Sequence, residues 1–124
     1  MTNWNKTMIK ERKLLETVWS RRTAYNSEKW DSETPSTGHC YVTALYIAMK
    51  YGGTVKWGKH GRFNHYWNEP EGYPPTDLTS DQYGGDGYRP CAHILSRGAK
   101  TPNFNNKKFL LFMREIQKKG GVDD

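Results

Sequence analysis

GHCYVTALYIAMKYGG, residues 38–53, is the stretch on which the reading of this chain turns. Behind Cys40 come Val42, Ala44, Leu45, Ile47, Ala48 and Met49, with no charge before Lys50, and Gly52-Gly53 close the run. An apolar segment of that length with a glycine stop predicts a buried helix whose first turn holds the cysteine. The first turn of a helix offers free N–H groups and the positive end of its dipole, and both favour a thiolate. Gly38 lets the incoming loop turn sharply into the helix and leaves room for a carbonyl beside the sulfur. The Cys40 N–H is then a candidate oxyanion donor. A free cysteine is also commonly just a small buried hydrophobe, so position alone leaves Cys40 open to either reading.

Upstream, Met8, Ile9, Leu14, Leu15, Val18 and Trp19 recur at helical spacing, which predicts an amphipathic helix from about residue 7 to residue 23. Residues 26–39 are rich in Asn, Ser, Asp, Thr, Pro and Gly and read as a loop. Downstream, residues 54–57 predict a short strand, 58–61 a turn, and FNHYWN at 63–68 an aromatic strand of period two. Residues 69–75 read as a Pro/Gly turn, and 76–79 as the next strand, paired in a hairpin with the aromatic one. Residues 80–90 read as a loop, and its glycine cluster Gly84-Gly85-Asp86-Gly87 as a mobile stretch near the site. A short apolar piece at 91–95 and another loop lead to a last amphipathic helix, about 106–119, burying Phe109, Leu110, Phe112, Met113 and Ile116. The expected fold is therefore α+β in one domain, 1–124: an N-terminal helix, a core helix opened by Cys40, a small antiparallel sheet and a C-terminal helix.

Charge narrows the function classes. The net charge of +6 invites nucleic acid as a partner, but the charge is unevenly placed. Residues 1–30 hold seven Lys and Arg against three acids, 97–124 seven against three, and the middle, 31–96, five against seven. Basic flanks of this kind usually make solvated helix faces, so nucleic-acid binding is possible but not favoured. No run approaches the roughly 20 apolar residues that cross a bilayer, and residues 1–13 lack a secretory apolar region. The expectation is a cytoplasmic chain without a membrane role, whose two cysteines stay reduced.

His65 sits on the aromatic strand beside Tyr66 and Trp67, and histidine is the usual group that takes a thiol proton. Asp77, one hairpin later, could accept the other ring N–H and fix the tautomer. Each also has a structural reading, His65 as a satisfied core residue and Asp77 as a turn former. Asn68 competes as the orienter but faces the opposite side of a regular strand from His65. Cys40, His65, Cys91 and His93 have zinc-ligand chemistry, yet no paired C-x-x-C or H-x-x-x-H spacing supports a metal site. The glycine cluster lacks the Lys-Ser/Thr of a phosphate loop. Trp57, Tyr66, Trp67, Tyr73 and Tyr83 could stack on bases, but at strand spacing they read as core and hairpin packing.

Taken in order, GHCYVTAL (38–45), YGG (51–53), HYWN (65–68) and DLTSDQY (77–83) resemble the YunG-like family of small proteins. The resemblance covers most of the chain, from the first helix, through Trp19 and Trp30, to the last. It implies a papain-like or transglutaminase-like core in which a cysteine opens a helix and histidine and aspartate lie on successive strands. Cys40, His65 and Asp77 would then form a triad, with Gly38, His39, Trp67 and Asn68 around it. His39 stands where the family pattern usually has glutamine, whose amide could donate to an oxyanion; a neutral histidine donates from one nitrogen only. The implied activity is cofactor-free acyl transfer through a thioester, on an amide, isopeptide or glutamine side chain of a peptide or protein. The alternative is a non-catalytic binding module of the same fold that contacts protein or nucleic acid through Arg21, Arg22, Lys107 and Lys108.

Overall fold

The computed structural model describes residues 3–120 and contains three α-helices and one three-stranded sheet. Helix α1 spans Asn3–Glu16, α2 Cys40–Tyr51 and α3 Lys107–Lys118; the strands are β1 Thr54–His60, β2 Phe63–Glu69 and β3 Ser96–Lys100. Single 3₁₀ turns lie at Ser27–Lys29 and Ser80–Tyr83. The sheet order is β2-β1-β3, antiparallel throughout. The α+β expectation with its small antiparallel sheet holds.

Helix α2 begins at Cys40, as its apolar run predicts, and ends where the Gly52 N–H closes onto the Ala48 carbonyl at 2.8 Å. It runs through the middle of the core. Val42, Leu45, Tyr46 and Ile47 pack with Trp4, Met8 and Leu15 of α1 and with Phe109, Phe112, Met113 and Ile116 of α3. Ala44 and Ala48 meet Val55 and Tyr66 of the sheet. Fully buried Leu, Ile and Phe side chains contribute about 1.5–3 kcal/mol each by leaving water, so this three-helix cluster is the main source of stability. Leu110, expected inside, is 44% exposed: it falls on the outer flank of α3.

Several boundaries differ from the sequence reading for identifiable reasons. Helix α1 starts earlier, at Asn3, and stops at Glu16 instead of near residue 23; the Thr17 N–H and hydroxyl both turn onto the Leu14 carbonyl, at 3.0 and 2.6 Å, and break the helical register. Val18 and Trp19 are buried even so, on the turn that follows. Strand β1 runs through the expected turn at 58–61 to His60, leaving only Gly61-Arg62 as the hairpin loop. Gly58 is there because the chain at Leu95 crosses where a Cβ would lie, at the bulge between Trp57 and Gly58 in the β1/β3 pairing. Residues 76–79 form no strand. Thr76 alone makes a bridge, exchanging two 2.8 Å hydrogen bonds with Asn68 on the outer edge of β2, and the chain then turns at once. Strand β3, in a segment read as loop, carries the polar sequence SRGAK, mostly exposed, and owes its conformation to backbone pairing with β1.

Candidate active site

Loop 36–39 delivers Cys40 to the head of α2. Gly38 adopts φ 77°, a conformation that disfavours any side chain, and a Cβ there would press to 3.2 Å from Ala24 Cβ. His39, the N-cap residue, gives the helix no side-chain cap, so the first N–H groups of α2 stay open next to the half-buried Cys40 thiol.

His65 and Asp77 are buried, 1% and 2% exposed, and face each other with Nε2 and Oδ2 at 2.5 Å. Asp77 is oriented from its other side. Its Oδ1 accepts hydrogen bonds from the Thr79 N–H at 3.0 Å and the Thr79 hydroxyl at 3.1 Å, and its backbone N–H donates to the Tyr88 carbonyl at 3.0 Å. With Nε2 committed to Asp77, Nδ1 is the His65 nitrogen left over. It is the buried side-chain polar atom without a hydrogen-bond partner among the described residues. Cys40 lies close enough to act on this imidazole. Burial pushes the His65 pKa down, but the hydrogen bond to Asp77, the nearby Cys40 thiol and the charges of both outweigh it and lift it to about 9.

The rest of the neighbourhood sorts less simply. Trp67 is buried and its ring lies 5.9 Å from that of His65, nearly parallel to it. Asn68 takes no part in orienting His65; its amide donates to the Ala44 carbonyl at 2.9 Å and ties β2 to α2. His39 departs from the expected oxyanion role. It is fully buried, Nδ1 donates to the Thr37 carbonyl at 2.9 Å and Nε2 accepts from the Thr23 hydroxyl at 2.8 Å, and burial lowers its pKa to about 4. A neutral ring with both nitrogens engaged has no N–H to offer a substrate.

Sequence reasoning missed the scaffold that joins the Cys40 loop to the Asp77 segment. Asp81 accepts from Ser36 at 2.7 Å, and the Gln82 side-chain oxygen accepts from the Gly38 N–H at 3.2 Å. Arg12, only 8% exposed, anchors the same segment: it pairs with both Asp81 oxygens and donates to the carbonyls of Leu78 and Gly87. The expected mobile loop at 84–87 is therefore held, with the Gly87 N–H also on Ser80 Oγ at 2.9 Å. Tyr83, read as core packing, instead sets its ring at 4.9 Å and 89° to His65 and stacks on His60 at 4.1 Å. Tyr73 likewise lies outside the core, 49% exposed and stacked on Trp4.

The remaining candidates do not assemble. Cys91 donates weakly to the Ser80 and Tyr83 carbonyls, His93 packs edge-on to His60, and among the described residues no three His, Cys, Asp or Glu side chains gather as metal ligands. Both cysteines are free thiols. Of the basic residues, Arg21 donates to the Ser27 carbonyl, Lys108 to the Arg22 carbonyl, and Arg22 lies 3.8 Å from Glu115. No described helix is long and apolar enough to cross a membrane.

A curated relative from Bacillus subtilis (strain 168), "Uncharacterized protein YunG", is 39% identical over 70 residues, 56% of this chain and 57% of that protein. The match thus spans a little over half of the relative's length. No solved structure matches. The family described as YunG protein matches residues 7–121, which takes in most of α1, the Cys40 loop, His65, Asp77 and α3. The chain belongs to the YunG family.

Proposed function

We propose that this protein is a thiol-dependent acyl-transfer enzyme with a papain-like or transglutaminase-like core, in which Cys40 is the nucleophile, His65 its base and Asp77 the group that orients the histidine. One observation carries the reading. A buried imidazole commits Nε2 to a buried carboxylate and keeps an otherwise unpartnered Nδ1 on the side of a half-buried thiol at a helix N-terminus. A structural histidine at the same depth would have both nitrogens satisfied, as His39 does.

In this reading His65 Nδ1 takes the Cys40 proton and, with its pKa lifted to about 9, holds it through the neutral range, so that the sulfur is paired with an imidazolium as it adds to an amide or ester carbonyl. The leaving group departs with the proton returned by His65, and water or an amine then discharges the thioester. Asp77 keeps the hydrogen on Nε2 so that Nδ1 presents its lone pair, and it stabilises the imidazolium once formed. The substrate class is a peptide or protein amide, including isopeptide and glutamine side-chain amides. A cytoplasmic setting suits a nucleophile that must stay reduced. The binding-module alternative draws less support, because three of its four cations already have local partners.

The test is whether Cys40 carries an acyl group. Brief incubation with p-nitrophenyl acetate followed by peptide mass spectrometry should find acetyl on the Cys40 peptide, absent in Cys40→Ala and strongly reduced in His65→Ala. Acetylation that ignores His65, or that never reaches Cys40, removes the proposal.

A further inference from the structure

Addition of a thiolate to a carbonyl moves an electron pair onto the oxygen, and that charge is best met by donors already in place. The Cys40 N–H is one: as the first residue of α2 it has no intrahelical acceptor, and no side chain caps it. The flanking side chains that might supply a second are engaged. His39 uses both ring nitrogens on Thr37 and Thr23, and the Gln82 amide donates to the Thr79 carbonyl at 3.2 Å while its oxygen takes the Gly38 N–H.

Tyr83 is differently placed. It ends the 3₁₀ turn Ser80–Tyr83, which Asp81 and Gln82 tie directly to residues 36 and 38 of the Cys40 loop, so its position is fixed relative to the nucleophile. Its ring stands edge-on to His65 at 4.9 Å and is backed by the stacked ring of His60 at 4.1 Å. Its hydroxyl makes no hydrogen bond to the described residues. We propose that the Tyr83 hydroxyl and the Cys40 N–H together form the oxyanion site, an inference that rests on the acyl-transfer reading above. The phenol is suited to donating. Burial first, then the nearby charges of Cys40 and Asp77, push its pKa up to about 12, so it holds its hydrogen throughout the neutral range.

The step balances as follows. The sulfur–carbon bond forms while the carbonyl π pair moves to oxygen, where Tyr83 and the Cys40 N–H receive it. As the pair returns, the bond from carbon to the leaving group breaks, and that group takes the proton held by His65. Water then gives a proton to His65, adds to the thioester carbon through the same oxyanion site, and releases the acid and the cysteine.

The experiment compares two reactions of Cys40 in wild type and Tyr83→Phe, which keeps the ring and removes only the hydroxyl. Iodoacetamide alkylates sulfur by displacement at a saturated carbon and creates no oxyanion, whereas p-nitrophenyl acetate must pass through one. Loss of an oxyanion donor should slow acetylation about 10²–10³-fold and leave alkylation at the wild-type rate. Equal acetylation in both proteins overturns the role of Tyr83 and leaves the acyl-transfer reading standing. A parallel fall in both reactions also overturns it, because the ring would then only pack the His65 pair. If wild-type Cys40 is alkylated but never acetylated, the acyl-transfer reading itself fails and the oxyanion site with it.

Discussion

Replacing Asp77 by Asn makes its two oxygens inequivalent, and the structure dictates which way the amide turns. Thr79 donates twice to the Oδ1 position, at 3.0 and 3.1 Å, so the amide oxygen settles there and the NH₂ faces His65 Nε2. A neutral imidazole meets that donor with a bare Nε2, which moves its hydrogen to Nδ1, the nitrogen on the Cys40 side. The base then has no lone pair for the thiol proton. The corresponding change in a serine protease costs roughly 10⁴ in kcat through the same wrong tautomer. A thiol leans less on its base than a hydroxyl does, so Asp77→Asn should slow acetylation of Cys40 by about 10²–10⁴, or about 3–5 kcal/mol of barrier. Stability carries a second signature. His65 has a folded pKa near 9, above the ordinary value of about 6.5, so its protonated form stabilises the fold fully below pH 6.5, and this fades as pH rises through 9. That rise corresponds to on the order of 3 kcal/mol, shared between Asp77 and Cys40. Urea unfolding of wild type and Asp77→Asn should therefore differ more at pH 6 than at pH 10. Wild-type acetylation by the folded variant, together with a stability gap that does not change with pH, would refute this reasoning.

Two further substitutions probe the supports of the site, and a third serves as a control. His39 is neutral in the fold with a pKa of about 4, so its contribution is complete above pH 6.5 and is lost as pH falls through 4; the loss is on the order of 3 kcal/mol. His39→Gln should flatten the acid limb of urea stability between those values, and an unchanged slope contradicts the buried neutral ring. Arg12→Met leaves Asp81 and the carbonyls of Leu78 and Gly87 without their donor and should cost about 3–5 kcal/mol. Arg89→Ala, which breaks an exposed pair with Asp86, should cost no more than about 1 kcal/mol; equal costs in thermal unfolding would show that Arg12 anchors nothing.

The parts of this fold that a one-dimensional pattern encodes were readable from the residues. Helix α2 has a continuous apolar run with a glycine stop, and β2 has aromatic alternation, so Cys40 and His65 fall on the elements their neighbours predict. Asp77 was singled out on a strand that does not exist. The Asp-x-Thr spacing, in which the carboxylate is held by the N–H and hydroxyl two residues on, is the local signal for the turn it actually occupies. Strand β3 could not be read, because a polar edge strand is specified by the partner it pairs with and not by its own pattern. Arg12 looked like part of a solvated basic face. Its burial depends on Trp19 and Tyr88, whose rings lie 5.0 and 6.0 Å from its guanidinium and come from two segments far apart in sequence. Tyr83, Gln82 and Asp81 are positioned by the same kind of long-range tie, which residue spacing does not express.

The central claim is that His65 governs the reactivity of Cys40, and Cys91 supplies an internal standard for it. Cys91 is a free thiol whose pKa is pushed up by burial and then by the charges of Asp77 and Asp86, so at pH 7 it should react slowly. We would measure alkylation by iodoacetamide at pH 7, resolved by peptide mass spectrometry for the two cysteines, in wild type and His65→Ala. The account predicts that Cys40 outpaces Cys91 in the wild type and loses most of that advantage in the variant. Equal rates at the two cysteines, or a Cys40 rate untouched by removing His65, would contradict it.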